Sequence, residues 1–188
     1  MNMLYQQILP RSFYSRHPVQ VATDLLGKLL VRKVNDEAMM SGIITDTEAY
    51  GPPSEDPLVR SEGVRGLRHD WNPGLAWTTY IMRGRPTLNV TTMPPSCVLV
   101  RAIEPVHGFA FIGDVRHFRL TKGPINLANA LSIDRALDKS DVTVSGPLFI
   151  CEERSISSKE IVQCLRKNIR NNSAEPRRFH IKGNQFIS

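Results

Sequence analysis

Cysteine is scarce in this chain. Three residues, Cys97, Cys151 and Cys164, stand among 188. The number is odd and no C-x-x-C pair occurs, which argues against a disulfide framework and against a zinc site, and suits a reducing compartment. Long apolar runs are missing too: no stretch approaches the roughly 18 consecutive apolar residues of a membrane span. The opening MNMLYQQILPRSFYSRHP has no basic segment followed by an apolar one, so no secretory signal is expected. Internal repeats, low-complexity tracts and linker-like shifts of composition are also absent. What remains is the expectation of one domain over residues 1–188, long enough for a substantial core. An intracellular location follows, in the cytoplasm or nucleoid if the source is prokaryotic.

What is present is positive charge. Hydrophobic residues make up 41% and charged residues 22%, the proportions of an ordinary soluble globular protein, yet the net charge is +6 and the pI is near 9.5. A basic surface over a normal core points to a polyanionic partner, nucleic acid above all, with general solubility as the plainer reading. The basic residues cluster. Arg60, Arg65 and Arg68 share one loop, Arg83 and Arg85 one tight turn, and Arg166, Lys167, Arg170, Arg177 and Arg178 stand near the C-terminal end. Loops and turns can follow a phosphate backbone.

Along the chain, Pro18 sits at a helix-opening position, Val21/Leu25 and Ala22/Leu26 form i,i+4 apolar pairs, and Gly27 provides a stop. LLVRKV reads as a strand, and residues 42–50 as the next. A Gly-, Pro- and Arg-rich loop runs from about 51 to 75. AWTTYIM (76–82) and TLNVT read as strands flanking an RGRP turn, and CVLVRAIEP (97–105) as another. A helix opens at Gly123-Pro124, VSGPLFICE (144–152) is a strand, SSKEIVQCLRKNIR reads as an amphipathic helix capped by Ser157 or Ser158, and RRFHIKG (177–183) closes as a strand. Strands in succession with flanking helices indicate an α+β fold with a mainly antiparallel sheet.

The most informative stretch is TDTEAYGPP (45–53). Strand alternation puts Ile44, Asp46, Glu48 and Tyr50 on one face, and Ile43, Thr45, Thr47 and Ala49 on the other. The first face changes from apolar to acidic to aromatic and stops at Gly51-Pro52-Pro53. A carboxylate and an aromatic about 7 Å apart along one strand can hold a planar apolar group beside a general base. The same pattern also describes a strand fraying into solvent. A glycosidase pair, with carboxylates about 6.5–9.5 Å apart in inverting enzymes, is a third reading, although sugar sites add more aromatic platforms and more acids.

LPRSFYSRHPVQVATDLLGKLLVRKV, GIITDTEAYGPPSED, CVLVRAIEP, TKGPINLANALSID and RRFHIKGNQFIS occur in that order, and together they resemble the alkyladenine (3-methyladenine) DNA glycosylase family. The resemblance covers most of the chain and is weakest in the middle. It implies a monofunctional base-excision enzyme, without metal or other cofactor, that flips a damaged purine out of double-stranded DNA and acts as a monomer. It also implies a single α+β domain with a curved antiparallel sheet and a protruding β-hairpin.

Carried over residue by residue, the resemblance makes Glu48 the general base and Tyr50 the aromatic that stacks on the flipped base. Arg101 lies near the base and its water, and Asn89 lines the pocket and conflicts with the 2-amino group of guanine. Without the family, Arg101 reads as a structural ion-pair partner of nearby Glu104, and Asn89 as a turn-adjacent polar residue. Where the family carries a base-contacting histidine, Arg60 stands here. Trp77 and Tyr80 are candidates for the second face of the base sandwich, with core packing as the alternative for both. Met82 or Arg83 takes the place of the tyrosine that fills the duplex gap, and Arg85 lies at the same turn. Lys122 and Gly123, at a helix start, suit a phosphate, although the family's lysine after Gly-Pro is Asn126 here. Asp46 reads as a structural companion of Glu48. The departures in the middle leave a second function open, a non-catalytic nucleic-acid-binding domain of the same fold.

Overall fold

Pro18 opens a helix, as its position predicts. The structure, a computed structural model, describes residues 7–35, 37–62, 71–78, 81–82, 84–109, 119–167 and 175–188, with the backbone alone at 60–62 and 81–82. A one-turn helix, α1 (Arg11–Tyr14), leads into α2 (Pro18–Asp24). The missing N–H of Pro18 costs nothing at the first helical position, and the His17 ring accepts the Val19 N–H through Nδ1. Val21, Ala22, Leu25 and Leu26 are all buried, as their spacing requires. Gly27 ends the run at φ +83°. A Cβ there would come within 2.7 Å of the Arg154 carbonyl oxygen, so glycine is needed for both space and conformation.

The remaining elements, in chain order, begin with β1 (Leu29–Lys33), β2 (Met39–Tyr50), α3 (Pro57–Glu62), β3 (Ala76–Trp77), β4 (Ile81–Met82) and β5 (Arg85–Pro86). After them come β6 (Asn89–Thr91), β7 (Cys97–His107), α4 (Pro124–Ala130), β8 (Leu148–Cys151), β9 (Ile161–Cys164) and β10 (Arg178–Ile181). One curved sheet runs β3-β6-β7-β2-β1-β8, with β10 beside β2 and β9 beside β10, and each of these pairings is antiparallel. β4 pairs with β5 in a separate two-stranded ladder, Ile81 opposite Pro86 and Met82 opposite Arg85. This is the α+β, mainly antiparallel architecture that the succession of strands predicts.

Strand β2 is the spine. One edge pairs with β7 along its length; the other pairs with β1 over residues 39–43 and with β10 over residues 46–48. The core fills one side, where Leu30, Ile44, Val98, Val100 and Ile103 pack with α2 and α4. Each such side chain contributes about 1.5–3 kcal/mol by leaving water.

Three expectations fail here. The face assignment along 43–50 is wrong at Ile44. Ile44 pairs with Ile103, Asp46 with Ala102 and Thr47 with Val100, so Thr45 is extra on β2 and Arg101 is then extra on β7. These two opposed bulges shift the alternation by one step. Ile44 therefore joins Ala49 in the core, while Ile43 packs with the Leu29–Val31–Cys151 cluster. The helix expected from Ser157 onward starts correctly: Ser157 is its N-cap and donates its N–H to Glu160 Oε2 at 3.2 Å. It ends after a single 3-10 turn at Ser158–Glu160, and Ile161–Cys164 becomes β9, because β10 offers it a ladder. Tertiary pairing outweighs the helical periodicity. The segment 51–75, expected as loop, also contains α3.

The cysteines give a direct check on burial. Removal from water pushes the Cys97 thiol far above its usual range, and pushes Cys151 up to about 11 with a further contribution from Glu153. Cys97 and Cys151 are buried, whereas Cys164 is partly exposed. A maleimide at neutral pH is expected to label one thiol in the native protein, Cys164, and three after denaturation. Mass-spectrometric counting would contradict this fold if Cys97 labelled first.

Candidate active site

The sheet register sets Trp77, Asn89, Leu99, Glu48 and Arg178 in one row across β3, β6, β7, β2 and β10. Directly opposed residues in antiparallel strands share a face. With strands about 4.8 Å apart, Asn89 and Glu48 are about 10 Å from each other. Their sequence neighbours Val90, Ala49 and Val98 belong to the core, so the row lies on the opposite side of the sheet.

Glu48 is buried at 1% exposure, and three groups hold its carboxylate. Oε1 accepts the Lys167 backbone N–H at 3.0 Å and faces Arg101 Nη1 at 2.8 Å, while Oε2 accepts the Tyr50 hydroxyl at 2.9 Å. Arg101 reaches Glu48 from the bulge on β7, where an extra residue re-aims the side chain. The alternative pairing of Arg101 with Glu104 does not form. Glu104 instead accepts from Asn184 at 2.9 Å and lies 3.9 Å from Arg154.

Asp46, two residues earlier and fully buried, is held differently. It accepts Arg178 Nε at 3.0 Å, Arg178 Nη2 at 2.8 Å, the Ser188 N–H at 2.9 Å and the Ser188 hydroxyl at 2.8 Å. Three of these donors converge on Oδ2 and one on Oδ1, so a forked arginine and the returning chain tie this carboxylate in place. Glu48 Oε2 has one partner among the described residues and keeps a lone pair open. The two acids of TDTEAY are thus unequal: one is a structural tie and the other is available for chemistry.

Tyr50 completes this edge. Burial, and then the Glu48 carboxylate, push its phenol well above the ordinary range, so it donates its proton to Glu48 and keeps it. The Arg166 guanidinium covers one face of the ring, 4.5 Å from its centroid. Arg166 is itself buried. It donates Nε to the Ala49 carbonyl at 3.0 Å and both terminal nitrogens to Asp56. Asp56 also accepts the N–H of Gly51 and of Leu58, which ties the end of β2 to the start of α3. Gly51 leaves space there for Arg177, whose Nη1 would lie 2.8 Å from a Cβ.

Asn89 is 3% exposed, and its amide donates to the Trp77 carbonyl at 3.2 Å and to Thr87 Oγ1 at 3.1 Å. Trp77 is enclosed at 1% exposure with its ring edge on Trp71, the packing role given above as its alternative. Lys122 bridges to Ala102, next to Arg101, and Gly123 caps α4 at φ +96°. The start of α4 therefore lies beside the Arg101 bulge. Arg60 falls in α3 and Met82 opposite the exposed Arg85 by backbone position. Tyr80, Arg83, Arg65, Arg68 and Arg170 lie outside the described residues.

The C-terminal basic cluster requires correction as a phosphate-gripping surface. Arg166, Arg177 and Arg178 are 3%, 6% and 5% exposed, committed to Asp56, Glu175 and Asp46 respectively. Of the described members only Lys167 is exposed. Among the described residues no group of three or more His, Cys, Asp or Glu side chains could hold a metal ion, and no helix is long and apolar enough to cross a membrane.

A family model for methylpurine-DNA glycosylase matches residues 12–185. The chain belongs to this family. Proteins assigned the name 3-methyladenine DNA glycosylase in Methanocella arvoryzae and Bacillus licheniformis are each 34% identical to it, over 96% of both chains. One from Carboxydothermus hydrogenoformans is 32% identical over 96% of this chain and 98% of its own. In this methylpurine-DNA glycosylase family member the matched region spans the whole Glu48 row. Sequence reasoning missed Asp56, the Lys167 N–H and Ser188. Asp56 sat in a segment read as loop, a backbone N–H carries no residue-type signal, and Ser188 gains meaning only where the last residues fold back onto Asp46.

Proposed function

We propose that this protein is a monofunctional DNA-repair glycosylase that removes alkylated purines of the 3-methyladenine type from double-stranded DNA, acting as a monomer. The observation that carries this reading is the contrast between the two buried carboxylates: Asp46 is tied to Arg178 and Ser188 by four hydrogen bonds, while Glu48 lies beside the Tyr50 ring with one described partner on Oε2. The extruded purine stacks on Tyr50. A water then attacks C1′ of the sugar, Glu48 takes its proton, the N-glycosidic bond breaks, and the bonding electrons leave with the base. The negative charge of Glu48 also offsets oxocarbenium character at the sugar. Arg101 and the Lys167 N–H hold the carboxylate in place. Asn89 selects against guanine through its 2-amino group, and Arg85, with Met82 or Arg83, meets the duplex at the gap. Tyr80 supplies the second face of the base sandwich, and Arg60, Lys122 and Gly123 contact substrate or backbone. The family membership and the names of the relatives support the glycosylase class.

The described site offers no evident acid to protonate a leaving base. A cationic lesion leaves as a neutral base and needs none. Excision of 3-methyladenine from methylated duplex is therefore expected to exceed excision of a neutral deaminated purine by about 10²-fold or more, the contribution typical of general acid catalysis. Equal single-turnover rates would reveal an acid and revise the mechanism. If no base at all is released, the non-catalytic DNA-binding reading replaces this one.

A further inference from the structure

The last described residue occupies a junction that the family match, ending at residue 185, does not reach. Ser188 Oγ donates to Asp46 Oδ2 at 2.8 Å and accepts Arg101 Nε at 3.0 Å. Arg101 Nη1 is the group that faces Glu48 Oε1, at 2.8 Å. We propose that Ser188 is a positioning residue for the reaction, acting through Arg101 to hold Glu48; the inference rests on the reading of Glu48 as general base.

Arg101 is buried between two carboxylates. Its Nε lies 3.8 Å from Asp46, too far for a direct hydrogen bond, and the Ser188 hydroxyl bridges the two. The guanidinium is a rigid planar fork, so where Nε is held decides where Nη1 points. With Nε on Ser188, Nη1 meets Glu48. Without the hydroxyl, Nε and an Asp46 oxygen face each other with no intermediary, and their attraction closes the gap. That motion draws Nη1 away from Glu48. The main chain docks the segment independently: the Ser188 N–H donates to Asp46 at 2.9 Å, Arg178 donates to the Ser188 main-chain oxygen, and Thr45 donates to the Phe186 carbonyl. An alanine keeps all three. The hydroxyl alone is therefore open to test.

Ser188→Ala is expected to lower kcat for 3-methyladenine release by about 10- to 100-fold, the scale of a catalytic group displaced by up to an ångström. KM for the methylated duplex and the thermal midpoint stay at wild-type values, and Ser188→Thr, which keeps the hydroxyl, restores the rate. A wild-type rate in Ser188→Ala would overturn the proposal. So would a rate loss that runs parallel with weaker duplex binding or a lower midpoint, or a failure of threonine to rescue. Glu48→Gln is assayed alongside. If that variant keeps the wild-type rate, the general-base reading falls instead, and this inference with it.

Discussion

Glu48→Gln is expected to reduce excision of 3-methyladenine from methylated duplex by about 10²–10⁴-fold, the range supplied by a general base. The substitution is nearly isosteric. Its amide oxygen can still accept from Lys167 N–H or Tyr50 Oη–H, so the end of β2 stays in place. What is lost is the ability to take a proton and the negative charge facing the sugar. Arg101 loses a partner but retains Ser188, with Asp46 close by, so its charge is not stranded. Duplex affinity is therefore expected to hold while the chemical step collapses. The measurement is single-turnover base release, paired with equilibrium binding to the same duplex. Wild-type release by the glutamine variant would end the assignment.

Asp56→Ala is expected to cost about 3–5 kcal/mol of stability, the scale for removing one partner of a buried ion pair. At about 2–4 °C per kcal/mol for a domain of this size, the midpoint falls by about 6–20 °C. Asp56 and Arg166 have side chains 0% and 1% exposed, so water can replace neither partner. The alanine also strands the Gly51 and Leu58 N–H groups. Asp56→Asn keeps one acceptor oxygen and should fall between alanine and wild type. Because Arg166 rests on the Tyr50 ring, the same change loosens the proposed base platform, and excision drops below what the unfolded fraction explains. Calorimetry or thermal circular dichroism measures the first effect. A midpoint within about 2 °C of wild type would mean that Arg166 finds another anion.

The arrangement of site residues explains how much of it could be read in advance. Glu48 and Tyr50 were legible because the anomaly is local: a strand that begins Ile43-Ile44 has no structural reason to end on an acid and an aromatic. Asn89 was legible only through family resemblance, because its place beside Glu48 depends on the register of three strands. Arg101 was misread when taken alone. Its nearest acid in sequence is Glu104, but a bulge sends its side chain to Glu48. The basic cluster at 166–178 was misleading for a similar reason. Charge counts treat every arginine as surface, whereas three of these are themselves buried and paired, two of them with the buried carboxylates Asp56 and Asp46.

The amino-acid sequence by itself determined the elements whose signals are local: the α2 start at Pro18, its end at Gly27, the antiparallel α+β class and the emergence of carboxylates at the end of β2. Propensity, capping and apolar spacing act within a few residues, so they can be read without a partner. Only the tertiary structure decided the rest. Pairing with β10 turned Ile161–Cys164 from helix to strand, opposed bulges at Thr45 and Arg101 moved Ile44 to the core face, and the returning chain docked Ser188 on Asp46. Each of these depends on which distant strand lies alongside and in what register, and a one-residue shift there changes which way every following side chain points.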